Sequence, residues 1–317
     1  MNASPSVLCP IDYSDASAGA LRYAAAISEH FGARLIVLTI EDPLLTSALD
    51  MGTGVYWTPE LSKEQVEEFV VETLGQTRSV LSRCEYDAAV GKPPVEILRV
   101  ARARHCDAIV MSSHGLTGAR KLFFGSTTER VLRETTVPVL VTPALDRGPE
   151  DLESVPHKIR RIAAPIDLSP SSTYQTKIAS RIAEALGLPL LLIHVIEPVR
   201  SRLLPRANVA GLTASRRAQV EDALQQLTAT ISERSHPEAL VAYGDPAEEA
   251  AKVVRDRGAG LVVMGLHGSP LHGPRMGSVT YRILCLCSVP VLALPPQSTE
   301  SSEPQQPGPA TASGEAG

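Results

Sequence analysis

The chain has no apolar run long enough to cross a membrane. Its longest runs are of strand length, against the roughly 18 to 20 residues that a span needs. It has no cationic excess either. Thirty lysines and arginines stand against 35 aspartates and glutamates, a net charge of −5, so neither a nucleic-acid backbone nor an anionic membrane is an expected partner. The opening Met1-Asn2-Ala3-Ser4-Pro5 lacks a basic stretch followed by an apolar one, which argues against a secretory signal. The five cysteines, Cys9, Cys84, Cys106, Cys285 and Cys287, are odd in number and form no Cys-x-x-Cys pair. They read as reduced thiols of a cytoplasmic protein. Cys285 and Cys287 fall on a predicted helix, where residues two apart point to different faces, so no metal site is expected from them.

Catalytic signatures are missing as well. There is no G-x-x-x-x-G-K-[ST], no G-x-G-x-x-G after the first strand, no Ser-Gly-Gly-x-Asp-Ser loop, no HExxH, no nucleophile elbow and no paired carboxylates. No catalytic residue is assigned, and an efficient enzyme is not expected.

What the chain does have is a phrase said twice. Ala108-Ile109-Val110-Met111 is followed by Ser112-Ser113-His114-Gly115, nine residues, and Gly125-Ser126-Thr127. Leu261-Val262-Val263-Met264 is followed by Gly265-Leu266-His267-Gly268, eight residues, and Gly277-Ser278-Val279. A strand that ends on small residues, and a loop that returns to Gly-Ser at a helix start, makes a cluster of backbone N–H groups suited to phosphate.

Other landmarks repeat with it. Cys9-Pro10-Ile11-Asp12 matches Ala164-Pro165-Ile166-Asp167, and Leu38-Thr39-Ile40 matches Ile193-His194-Val195, both at an offset of 155. Gly91-Lys92-Pro93 matches Gly244-Asp245-Pro246 at 153, and Val137-Pro138-Val139-Leu140 matches Val289-Pro290-Val291-Leu292 at 152. Two domains of ordinary size follow: residues 1–145 and 159–295, a charged linker over 146–158, and a Ser, Gln, Pro and Gly-rich tail over 296–317 expected to be disordered. In the first copy the alternation of β-rich and helical patterns predicts strands near 6–11, 34–40, 86–90, 107–112 and 137–142. The helices between them fall near 16–31, 60–84, 93–105 and 125–135. In the second copy Ser169 reads as a helix N-cap with Pro170 at the first helical position. Ile178, Ile182, Ala185 and Leu186 lie on one face and Gly187 closes the helix.

In order, Pro10-Ile11-Asp12 and Pro165-Ile166-Asp167, His194-Val195, Gly244-Asp245-Pro246-Ala247-Glu248-Glu249, the two small-x-x-Gly…Gly-Ser loops and the terminal Val-Pro-Val-Leu runs resemble two tandem domains of the universal stress protein (UspA-like) family over residues 6–295. The resemblance implies an α/β fold of the adenine nucleotide alpha hydrolase-like type: two open parallel five-stranded sheets of order 3-2-1-4-5 with helices on both faces. It implies, in one branch of the family, ATP at the carboxyl ends of strands 1 and 4, a nucleotide that could equally be AMP or ADP, with Mg²⁺ as a companion. Once that order is granted, the crevice between strands 1 and 4 is where an open α/β sheet binds its ligand.

The family loop is Gly-x-x-Gly, nine residues, Gly-Ser/Thr. By resemblance, the loop amides and Ser126 hold phosphates, with Gly115 and Gly125 letting the backbone approach closely, and Asp12 and Ile40 border the adenosine; Pro10, Ser112 and Thr127 complete the cofactor-binding set. Ser112 stands where the first glycine usually does; the replacement costs roughly 1–2 kcal/mol if that position needs a positive φ and nothing if it does not. In the second copy the same roles fall to Pro165, Asp167, Val195, Gly265, Gly268, Gly277, Ser278 and Val279, across a shorter loop that contains Pro270, Gly273 and Pro274.

Plainer readings stand beside these. Asp12 and Asp167 also suit capping of the following helix, and Gly115 and Gly268 suit ligand-free turns. His114 and His267 read as loop hydrogen-bonders, and His194 as a satisfied core histidine. Lys121 and Arg120 either touch phosphate or are solvated. The apolar last strands each contain a proline, which suits a sheet edge, and an apolar edge needs cover. Pairing of one copy with the other, as an intramolecular pseudo-dimer, would supply it, with a homodimer left open. Three functions remain: a cytoplasmic regulator that binds an adenine nucleotide with slow or absent hydrolysis, a nucleotide-free stress-response scaffold that acts through protein partners, and a slow ATPase or phosphotransferase.

Overall fold

A computed structural model of the chain describes residues 4–43, 58–76, 78–114, 125–198, 206–266 and 276–296, side chains of 206–213 excepted. The first repeat runs β1 (Ser6–Ile11), α1 (Asp15–Phe31), β2 (Arg34–Glu41), α2 (Pro59–Leu74), β3 (Cys84–Val90), α3 (Pro93–Ala103), β4 (Ala108–Ser112), α4 (Ser126–Glu134) and β5 (Val139–Thr142). A short helix α5 (Val155–Lys158) leads into the second repeat. There follow β6 (Ile162–Pro165), α6 (Ser172–Leu186), β7 (Leu190–Ile196), α7 (Arg206–Ala229), β8 (Glu238–Tyr243), α8 (Pro246–Asp256), β9 (Leu261–Gly265), α9 (Ser278–Leu286) and β10 (Val291–Leu294).

The strands form one ten-stranded sheet in the order β3-β2-β1-β4-β5-β10-β9-β6-β7-β8. Each half therefore has the expected 3-2-1-4-5 order. Inner strands such as Ser-Val-Leu-Cys-Pro-Ile of β1 are apolar runs buried throughout, as parallel strands covered on both faces require. The outermost strands β3 and β8 are only half-buried. Two core layers result, one on each face and each continuous across both halves. One packs α3, α4, α8 and α9 against the sheet through Ile97, Val131, Val254 and Ile283. The other packs α1, α2, α6 and α7 through Leu21, Val66, Ala179 and Leu224.

The halves meet where β5 pairs antiparallel with β10, Val141 opposite Val291, Leu140 opposite Leu292 and Val139 opposite Ala293. Leu140 and Leu292 are themselves counterparts in the repeat, so this register is self-complementary, as an isologous contact must be. The terminal prolines do not lie within these strands. They precede them, and the Pro138 and Pro290 carbonyls accept from the Ile109 and Val262 amides at 2.9 and 3.0 Å. A missing proline N–H thus costs the ladder nothing.

Two helix boundaries also need correction. The helix expected over 60–84 ends at Leu74, where Gly75 takes φ +80°, and a separate 3₁₀ turn over Ser79–Arg83 leads into β3. Glu29 holds that turn by accepting from Arg78 Nε and Nη2 at 3.1 and 2.8 Å and from the Val80 amide at 3.3 Å. In the second copy the helix begins at Ser172, with Ser171 rather than Ser169 at the N-cap. The Ser169 amide instead donates to Asp167 Oδ1 at 2.9 Å. The core-facing side of α6 is Ser172, Gln175, Thr176, Ala179 and Ala183, with Ile178, Ile182 and Leu186 at its margin and Ala185 exposed. Gly187 closes the helix as expected, at φ +64°.

The segment between the repeats is strapped to α1. Asp146 Oδ2 accepts from Tyr23 Oη at 2.7 Å, and its Oδ1 from Lys158 Nζ at 2.7 Å and the Gly148 amide at 3.0 Å. Burial opposes ionisation of Asp146, yet these donors outweigh it and hold the carboxyl below its usual range. Burial, and then the Asp146 charge, push the Tyr23 hydroxyl up. A depressed carboxyl stabilises the fold above its unfolded pKa of about 4 and loses that contribution as pH falls; a raised phenol stabilises it below about 10 and loses it as pH rises. The strap is therefore strongest between those limits. Tyr23→Phe is expected to cost about 1 to 2 kcal/mol in urea melts at pH 7, since the bond is to a charged but partly solvated group. The cost should shrink toward zero below about pH 4.

Candidate functional site

The strands on either side of the first switch point diverge early. Pairing of β1 with β4 covers Val7↔Ala108 and Leu8↔Ile109 only, and beyond it lies a cleft of about 240 Å³. Pro10, Ile11 and Asp12 from the end of β1 line it, with Ser17 on α1, Ile40 on β2, Pro93 and Ile97 on α3, Met111 and Ser112 on β4, and Gly125, Ser126, Thr127 and Thr128 at the start of α4. Seven sequence-predicted residues, Pro10, Asp12, Ile40, Ser112, Gly125, Ser126 and Thr127, come together there. Gly115 lies outside the described residues, as do Arg120 and Lys121. Sequence reasoning missed Ile11, Ser17, Pro93, Ile97, Met111 and Thr128 as wall residues. Pro93 had announced itself only as a repeat landmark.

Local chemistry explains the shape. Asp12 does not cap α1; Ser14 does, its side chain accepting from the Ser17 amide at 3.2 Å. Asp12 Oδ1 accepts from the Ser14 amide and hydroxyl at 3.2 and 2.6 Å. This turn bends the chain out of β1 and forces Tyr13 to φ +62°. Such a conformation is uncommon for a residue with a Cβ, and it recurs at the equivalent Leu168, φ +60°. The Tyr13 ring packs edge-on against Phe69 at 5.4 Å, which holds the turn in place.

On the opposite wall, the Gly125 amide donates to Ser113 O at 2.9 Å and Thr128 Oγ1 to Ser112 O at 2.8 Å. These bonds bring the start of α4 back onto the end of β4. Gly125 is the N-cap and offers no side-chain acceptor, so the first-turn amides of α4 are left for an external anion. A Cβ at Gly125 would lie 3.3 Å from Ser113 O, a tight contact that the small residue avoids. Ser112 is the last residue of β4, opposite Thr142, and is not among the residues with positive φ. Serine there costs nothing.

In the second repeat Pro165, Val195 and Gly265 stand at or near the ends of β6, β7 and β9, with Asp167 just beyond β6 and Gly277, Ser278 and Val279 at the start of α9. Gly268 and His267 lie outside the described residues. The return has the same form: the Gly277 amide donates to Leu266 O at 3.0 Å and Thr280 Oγ1 to Gly265 O at 3.1 Å. Asp167 Oδ1 accepts from Ser172 Oγ at 2.8 Å. His194 Nδ1 bonds Ile166 O at 2.8 Å, a satisfied histidine, and His114 Nδ1 lies 3.1 Å from Ser113 Oγ.

All five cysteines are free. Burial pushes the Cys84 and Cys287 thiols up to about 12 and raises Cys9, Cys106 and Cys285 as well, so they are neutral and poor nucleophiles. Among the described residues no cluster of three or more His, Cys, Asp or Glu could hold a metal, and no helix is long and apolar enough to cross a membrane.

Fold and crevice together define a tandem α/β protein with an open cleft at a parallel-sheet switch point. The sequence profile of the universal stress protein family matches residues 5–143 and 158–295, and the chain belongs to that family. A universal stress protein of Mycolicibacterium smegmatis is 23% identical over 302 residues, 92% of this chain and 97% of that one. The universal stress protein YxiE of Bacillus subtilis is 30% identical over 148 residues, 43% of this chain and 96% of its own length. The crystal structure of a universal stress protein from Archaeoglobus fulgidus superposes with a TM-score of 0.63 at 21% identity, covering 92% of this chain and 98% of that one.

Proposed function

We propose that the chain is a cytoplasmic regulator that binds an adenine nucleotide in the cleft between β1 and β4. The observation that carries this reading is the convergence of an apolar wall, one carboxylate and an uncapped helix start in a single cleft. Ile40, Ile97 and Met111 offer apolar surface to a base, and Asp12 an acceptor to ribose hydroxyls. The first amides of α4, with the Ser126 and Thr127 hydroxyls, face where phosphates would lie. A Mg²⁺ ion would be carried by the phosphates, since the described residues offer it no carboxylate cluster.

Among the described residues the wall holds one carboxylate, Asp12, and no His, Cys or Lys, and the reading is one of retention of the nucleotide rather than its turnover. The two domains, 1–145 and 159–295 joined by 146–158, would act as an intramolecular pseudo-dimer through β5 and β10. The self-complementary register at Leu140 and Leu292 supports that.

Purified protein should release adenine nucleotide on denaturation, and calorimetric titration with ATP and Mg²⁺ should show saturable heat. Gly125→Val, which drives a branched side chain into Ser113, should abolish both while the melting curve stays cooperative. No nucleotide and no heat at millimolar ATP would defeat the reading in favour of a scaffold for protein partners.

A further inference from the structure

The two crevices are not equivalent, and one side chain makes the difference. In the second repeat β6 and β9 pair only at Ile162↔Leu261 and Ala163↔Val262 and then part, like β1 and β4. Gln175 enters the gap from α6. Its Nε2 donates to Pro165 O at 2.7 Å on one strand and to Val263 O at 3.0 Å on the other, and its Oε1 accepts from the Gly265 amide at 3.3 Å. Gln175 is 7% exposed; its bond to Val263 O is buried and the other two are partly buried, so an unmade partner is costly. Two donors and one acceptor meet two carbonyls and one N–H, and a carboxamide thereby spans strands whose own ladder has ended.

At the offset of 155 that relates Asp12 to Asp167, the counterpart of Gln175 is Ala20. Ala20 is buried and has only a methyl group, which cannot reach across. Pro10 and Ser112, the counterparts of Pro165 and Gly265, instead line the open cleft.

A second difference is electrostatic. The residue before the cleft-lining Pro93 is Lys92, exposed. Its counterpart Asp245 accepts from the Ala247 and Glu248 amides, both at 3.1 Å, and pairs with Arg282 at 2.7 Å. The helix start that carries a lysine beside the first cleft carries at the counterpart position a carboxylate already paired with Arg282, so it supplies no comparable positive charge to a triphosphate.

We infer that Gln175 closes the second crevice, so that the chain holds one nucleotide, in the first domain. The inference rests on the nucleotide reading above and narrows it. A ligand seated between β6 and β9 must break three hydrogen bonds, one buried and two partly buried, and begin with the Gly265 amide already engaged, which weakens that site by about 100-fold.

The test uses the full chain. Titration with ATP and Mg²⁺ should give one site, and photolabelling with 8-azido-ATP should modify peptides from 1–145 alone. In Gln175→Ala a second set of labelled peptides should appear from 159–295, with stoichiometry moving toward two. Because that substitution opens a buried gap, Ala20→Gln is the reciprocal variant: it should remove first-domain labelling. Second-domain labelling of the unaltered chain at comparable ATP overturns the inference. So does a folded Gln175→Ala that stays at one site, or a folded Ala20→Gln that labels like the unaltered chain. Absence of labelling and heat in the unaltered chain and in a folded Gln175→Ala alike overturns the nucleotide reading instead.

Discussion

Gly19→Ala is expected to destabilise the protein by about 2 kcal/mol, and Gly19→Val by about 3 kcal/mol. The sign is the reverse of the usual one. Alanine for glycine inside a helix normally gains about 1 kcal/mol, and Gly19 lies well inside α1. Here a Cβ would stand 2.1 Å from the carbonyl oxygen of Asp146. That atom is backbone, so relief requires the connecting segment to move. The segment cannot easily move, because Gly148, held at φ +73°, lies equally close: a Cβ there would meet Gly19 O at 2.5 Å. Tyr23 and Lys158 grip Asp146 from either side. Thermal melts should fall by roughly 4 to 8 °C for the alanine variant, at 2 to 4 °C per kcal/mol for a fold of this size. Proteolysis between residues 146 and 158 should quicken. A stabilised Gly19→Ala would mean that the segment does not lie on α1.

That contact shows why the fold was legible in the sequence at one level and not at another. Repeated landmarks placed nearly every strand, because strand ends are marked by local chemistry: apolar runs, small residues, Asp-Ser turns. Gly75 could have stopped the helix that was drawn through to residue 84, since glycine closes helices elsewhere in this chain at Gly32 and Gly187. The period continued past it and masked the signal. Ser169-Pro170 has the form of a helix start, yet Asp167 claims the Ser169 amide and delays the helix. The close approach at Gly19 leaves no trace in pattern, because its cause lies 127 residues away.

The first site was legible for the same reason the strands were. Asp12, Ser112 and Gly125 carry local signatures, and topology brings them together. Ser17, Ile97 and Thr128 reach the cleft only through helix packing, and as single residues they look like any helix surface. Gln175 is the sharper case. In a helical pattern it is an ordinary polar residue, and only the divergence of β6 from β9 gives its amide something to span. Repetition of the Gly-Ser loops was visible; the inequality of the two crevices was not.

Ala293→Asp is expected to be the most damaging single change at the junction, at about 3 kcal/mol or more. Ala293 is fully buried on β10, opposite Val139 and beside Met264, and all three side chains belong to one apolar layer. No donor among those neighbours can satisfy a carboxylate. The new group would ionise near pH 4 in the unfolded chain and only at higher pH in the folded one, so the penalty should grow as pH rises between those values. Denaturant melts should show the variant closest to the unaltered protein below pH 4 and farthest from it at pH 7. Weakened pairing would also expose β5, an apolar strand edge, and such edges seek partners. Light scattering at pH 7 should therefore detect more concentration-dependent association than for the unaltered chain. The first cleft borders β4 on the side away from β5, so nucleotide uptake per folded molecule should persist. Unchanged stability across this pH range would mean that Ala293 is not buried between β9 and β5, and the packing of this junction would have to be abandoned.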